Sequence, residues 1–135
     1  MDKKEFMKRF QKKVDEAKQN YENSLSKERR KVLAELKEKI ISEAQEKFLD
    51  SIPPIIAPGE KPLIEYRITA KRDNEGYDDV LYNIKGVLFG SSAQTYNFIE
   101  NIVDELSEMI GREICCRQEN FYRNCIVYAL NFYID

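Results

Sequence analysis

The side chains best able to do chemistry in this sequence are carboxylates, thiols and hydroxyls, because its 135 residues include no histidine. Without imidazole the commonest acid–base group near neutral pH is missing, and with it His-based triads and zinc sites. Asp73, Glu75, Asp78 and Asp79 crowd one short segment, and carboxylates at such spacing can hold Ca²⁺ or Mg²⁺. The EF-hand pattern fails, however. Setting Gly76 at the invariant glycine puts Lys71 at the first ligand position and Tyr82 at the last. A solvated hairpin turn accounts for the acids better. A metal-dependent nuclease would use Glu65, Asp78 or Asp79, and Lys85 around a metal. Asn83 stands where such a site normally has an acid two residues before the lysine. No metal ligands and no cofactor are assigned.

The thiols are Cys115, Cys116 and Cys125. Three cannot close a four-thiolate site, and neighbours in a strand point to opposite faces. Lacking an imidazole partner, none has the usual activator of a catalytic thiolate. An odd, partly adjacent set suits a reducing compartment, so buried reduced cysteines and a cytoplasmic location are expected. Phe89-Gly90-Ser91-Ser92 has one glycine and no lysine to reach a phosphate, so its serines read as helix caps.

What remains is charge and shape. The net charge is -2, but residues 1–31 carry eleven Lys/Arg against six Asp/Glu, and residues 93–135 carry three against seven. The two ends offer opposite potentials to a partner. Lys4, Lys8, Lys12, Arg29, Arg30 and Lys31 could neutralise phosphates without reading bases. At the acidic end Asp104, Glu105 and Glu108, with Tyr133 as an exposed aromatic anchor, are the expected protein-binding residues. Phe121, Tyr122, Tyr128 and Phe132 crowd the same C-terminal stretch. Core packing is the stronger reading for Ile126, Tyr128, Leu130 and Phe132.

The elements that must position these residues are legible from periodicity. Phe6, Phe10, Val14, Ala17, Tyr21 and Leu25 form one helical stripe. Val32, Leu33, Leu36, Ile40, Ala44 and Phe48 form a second. No Gly or Pro precedes Pro53, so the segment is either a hairpin broken near residue 26, with Ser24 or Ser26 as cap, or one helix of about 48 residues. Pro53, Pro54, Pro58 and Pro62 make residues 53–62 a linker, within which Ile55 and Ile56 are apolar enough to be expected to dock. Leu63 to Lys71 alternates as a half-buried strand. Val80 to Phe89 returns as a second, with Gly86 marking a bulge. Ser91 and Gln94 have capping-box spacing, Tyr96, Ile99, Ile102, Val103, Leu106, Met109 and Ile110 share a helical face, and Gly111 suits a left-handed C-terminal cap. Two strands follow, 113–117 and 121–134, joined through Gln118-Glu119-Asn120. Cys125 to Leu130 is apolar on both faces, which predicts cover from both sides, one by the helix near 92–110 and the other by the N-terminal helices or a second chain.

The fold expected is α+β: an N-terminal helical hairpin, or one long helix, then a ββαββ unit with a four-stranded, mainly antiparallel sheet. Its regions are 1–52, basic, amphipathic and helical; 53–62, the Pro-rich linker; and 63–135, the α+β domain. The missing chemistry and the opposed charges favour a non-enzymatic protein-binding module. The Lys-, Glu-, Ile- and Asn-rich composition suits a bacterium or its phages, where small inhibitors of a host defence enzyme, such as an anti-CRISPR, have this size and character. A nucleic-acid-binding protein using the basic helices is the alternative, and the nuclease a third reading. No stretch reaches the ~20 apolar residues of a membrane span. Self-association through the last strand stays open.

Overall fold

The computed structural model describes residues 1–24, 27–72, 81–122 and 125–135. They form α1 (Lys3–Ser24), α2 (Lys27–Ser51), β1 (Leu63–Arg72), β2 (Tyr82–Ile84), β3 (Val87–Phe89), α3 (Ser92–Ile110), β4 (Cys115–Tyr122) and β5 (Cys125–Tyr133). Two compact units result, Met1–Ala34 and Glu35–Asp135. The expected break between helices falls at Leu25 and Ser26, outside the described residues. So do Asp73, Glu75, Asp78 and Asp79, and with them the acidic turn.

In the first unit, Asp2 caps α1: its carboxylate accepts from the Glu5 amide at 2.7 Å. Pairs four residues apart brace the helix surface, Arg9 with Glu5 at 3.0 Å and Gln11 with Asp15 at 2.9 Å. The Phe6 and Phe10 rings lie one turn apart, 6.0 Å between centroids, and both are exposed.

The second unit is a two-layer α+β fold. Its five-stranded antiparallel sheet has the order β3-β2-β1-β5-β4, one strand more than the sequence predicts. The extra strand arises because the described part of that segment, 81–89, is not one strand with a bulge. Ile84 pairs with Val87, and the intervening Lys85 and Gly86 both have positive φ, 50° and 84°. Two such residues make the type I′ turn, whose twist matches a two-residue hairpin. Nothing lies within 4 Å of a Cβ added at Gly86, so only the left-handed backbone penalises substitution there. Gly86→Ala is expected to cost about 1 kcal/mol by urea titration, with an unchanged m-value.

A second difference lies at the other edge. Gln118, Glu119 and Asn120 do not join two strands; they pair with Tyr128, Val127 and Ile126 inside β4, and Tyr122 pairs with Cys125. Polar residues fit there because β4 is an edge strand that must remain wettable.

Both α2 and α3 lie on one face of the sheet. Leu36, Ile40, Ile41, Ala44 and Phe48 of α2 and Thr95, Ile99, Ile102, Val103 and Leu106 of α3 are buried. Beneath them are Ile64, Ile68 and Ala70 of β1, Tyr82 and Ile84 of β2, Val87 and Phe89 of β3, and Tyr128 and Leu130 of β5. The Phe48 ring meets Phe132 and Tyr66 edge-on, at 5.2 and 6.4 Å between centroids. Lys37 bridges to Glu105 at 2.8 Å, tying the two helices. Glu43 receives the Tyr66 hydroxyl at 3.1 Å and pairs with Lys85, whose ammonium is the main reason that the carboxyl sits below its ordinary pKa.

On the opposite face no helix of residues 35–135 covers β5, yet Val127 and Ala129 are buried. Within residues 35–135 these two residues are flanked by side chains of the neighbouring strands. Ala129 lies between Arg67 of β1 and Arg117 of β4, and Val127 between Thr69 and Glu119. Arg67 binds Glu65 at 2.6 Å and Glu119 at 3.3 Å, and Arg117 binds Glu119 at 2.7 Å. Long side chains in such positions can shield small apolar neighbours with their stems while the charged ends stay in water. In the linker, Ile55 (81 % exposed) and Ile56 are exposed instead of docked.

Candidate functional site: the acidic groove between α3 and β4

α3 is held at both ends by local chemistry. Ser91, in extended conformation, accepts from the Gln94 amide at 3.2 Å, while the Gln94 side chain accepts from the Gly90 amide at 2.8 Å. At the other end Gly111 takes φ 67°, and the Gly111 and Arg112 amides reach the Glu108 and Ser107 carbonyls. Ser107 Oγ then accepts from the Ile114 amide at 3.1 Å, fixing where β4 begins.

This arrangement opens a groove of about 700 Å³ between the outer flank of α3 and the start of β4. Glu100, Asp104 and Glu108 recur every fourth residue along its helical wall. Glu113 sits at its end, and Cys115 and Cys116 lie on the strand side. Arg112, the one cation among the residues lining it, is drawn to Asp135 at 3.4 Å. Glu100 accepts a hydrogen bond from the Tyr96 hydroxyl, which raises that phenol's pKa.

Burial, reinforced by Glu100, pushes the Cys116 thiol above its ordinary pKa. Cys115, on the open face, is exposed. The thiolate is the reactive form, so at pH 8 iodoacetamide is expected to alkylate Cys115 at least about tenfold faster than Cys116, read by peptide mass spectrometry. Equal rates would contradict this placement of Cys116. Tyr128, beneath α3, is likewise pushed up by burial, to about 12.

The four residues expected to bind protein are not one cluster. Asp104 and Glu108 line the groove. Glu105 turns the other way and is paired with Lys37. Tyr133 is 62 % exposed at the end of β5, and by register its side chain belongs to the open face of the sheet. Glu100, Glu113 and Tyr96 belong to the site and were not singled out from sequence. The fourfold spacing of Tyr96, Glu100, Asp104 and Glu108 is the signal that finds the first two on α3; no such signal marks Glu113.

Of the basic set, Lys4, Lys8 and Lys12 recur every fourth residue on α1 and are exposed. Arg30 and Lys31 are exposed and Arg29 half-buried in α2. For a nuclease centre, Glu65 is engaged by Arg67 and Lys85 by Glu43. Lys71 pairs with Asn83, a register that carried on sets Lys85 opposite Thr69, about 13 Å along β1 from Glu65, and the Lys85 ammonium is held by Glu43 of α2 while Glu65 is on the open face of the sheet. Those two are not brought together; Asp78 and Asp79 lie outside the described residues. Among the described residues no group of three or more Cys, Asp or Glu is placed to hold a metal, and no helix is long and apolar enough to cross a membrane. Comparison with family models, with curated proteins and with solved structures finds no match.

Proposed function

We propose that the protein is a non-enzymatic protein-binding module whose partner docks a basic surface into the groove between α3 and β4. The observation that carries this reading is the row of Glu100, Asp104 and Glu108, none in an ion pair among the described residues, along a groove wall beside the sheet edge. Carboxylates scattered over a convex surface are ordinary, but a row inside a groove concentrates the field on whatever enters. A small phage or mobile-element inhibitor of a host defence enzyme fits this reading, since such enzymes carry the basic surfaces that hold nucleic acid. The test is capture with the full chain as bait in a bacterial host. A stoichiometric protein partner retained by the native chain and lost by the E100K/D104K/E108K chain is the expected result. A clean monomer without interactor, or capture indifferent to the reversal, overturns it.

One observation supports a second reading, nucleic-acid binding. Lys4, Lys8 and Lys12 present an exposed row along α1. Three phosphate contacts would make the logarithm of affinity fall with slope about -2 to -3 against the logarithm of salt concentration. Titration of a DNA duplex and an RNA strand between low and physiological salt measures it. No binding at low salt ends this reading.

A further inference from the structure

We infer, building on the reading that the α3–β4 groove binds protein, that the partner enters as an extended strand added to the outer edge of β4, with Lys or Arg at alternate positions facing α3. Among the described residues β4 is the end strand of the sheet and pairs on one side only, with β5. Every second residue therefore turns its N–H and C=O outward. The opposite edge, β3, has three residues and offers too short a template. The register shift in β4 lies between Asn120 and Tyr122, so Cys115–Asn120 forms a regular edge about 20 Å long.

Edges in stable proteins are commonly blunted by charge. Here the two charged side chains of the regular edge, Arg117 and Glu119, are on the open face and bound to each other at 2.7 Å. On the face toward α3 the register places Cys116 and Gln118, which are uncharged. A strand lying beside β4 would send alternate side chains to that face, under the carboxylates of α3. Its repeat is about 6.6 Å for every second residue, and Glu100, Asp104 and Glu108 rise about 6 Å per step. Of this edge, Cys115 and Cys116 line the groove with those carboxylates, so the basic side chains entering beside them are the ones that meet the row.

The same charges select among occupants. A second copy adding its own β4 would present Cys116 and Gln118 to the groove, no cation at all, and would bring a second row of Glu100, Asp104 and Glu108 toward the first. A nucleic acid is repelled by the row. A basic extended segment satisfies both the backbone edge and the carboxylates, which is strand addition with side-chain selection.

The test uses the full chain and an eight-residue peptide alternating Lys with Thr and Val, followed by calorimetry and amide exchange at low salt. Two further versions carry N-methyl groups on one or the other alternate set of amides. The parent peptide is expected to bind and to slow exchange across Cys115–Asn120. One methylated version should lose about tenfold or more in affinity, because its amides face β4, while the other stays within about threefold. A peptide alternating Glu with Thr and Val should not bind. Equal effects of the two methylation patterns would overturn strand addition and leave the acidic groove as a docking surface held by charge alone. Absence of binding by any basic peptide would overturn both. A dimer by light scattering, with the β4 amides already protected, would show that a second copy occupies the edge and would also overturn the inference.

Discussion

Replacing Glu100, Asp104 and Glu108 together by lysine is expected to weaken partner binding roughly a hundredfold at low salt, since each change both removes an attraction and adds a repulsion of similar size. The loss should shrink toward physiological salt, where the screening length is about 8 Å. It should appear mainly as a slower association rate, the signature of steering. Asp104 and Glu108 make no hydrogen bond or ion pair within the described residues, and Glu100 gives up only the Tyr96 hydroxyl. The reversed chain is therefore expected to melt close to the native temperature. Single reversals should each account for part of the effect, and Glu105→Lys for little, since Glu105 faces Lys37. Surface plasmon resonance at two salt concentrations, with thermal melting as the control for folding, separates these outcomes. A partner bound equally well by the triple variant would remove the groove from the interface.

The second large effect is on stability. Ile102 is fully buried on α3, within the layer that α3 and α2 together place over the sheet. Ile102→Ala is expected to destabilise the fold by about 3 kcal/mol, the sum of lost apolar transfer and the cavity left behind. For a unit of this size the melting temperature should fall by roughly 10 °C or more. Glu105→Ala, three residues away and in an ion pair near the surface, should cost less than about 1 kcal/mol. The contrast within one helix is the useful measurement, made by chemical denaturation with m-values compared. A loss below about 1 kcal/mol for Ile102→Ala would mean that α3 does not depend on packing against the sheet.

These predictions treat the two flanks of α3 differently, and that difference is visible in the sequence only in part. The apolar face, the Ser91 cap and the Gly111 cap all lie within local reach, and residues 92–110 read as a helix with those boundaries. β1 was equally legible, because strict alternation from Leu63 has one meaning for a half-buried strand. The Lys85-Gly86 turn was not, because Lys-Gly is a weaker hairpin signal than Asn-Gly and a lone glycine in an apolar run reads as a bulge. Nor was the continuity of β4, because Gln118-Glu119-Asn120 has the composition of a turn. Only its place at the edge of the sheet makes those residues suitable for a strand.

The groove shows the same division. The sequence contains the fourfold recurrence of Glu100, Asp104 and Glu108 and the excess of acid near the C-terminus, because helical spacing and charge are properties of neighbours along the chain. That Asp104 and Glu108 look toward β4 while Glu105 looks toward Lys37, that Arg67 and Arg117 flank Ala129, and that β4 stands at the end of the sheet were decided by tertiary structure. Each depends on strand order and register between residues tens of positions apart. Those are settled by which long-range packing buries the most apolar surface while pairing the backbone, and no local pattern encodes that choice.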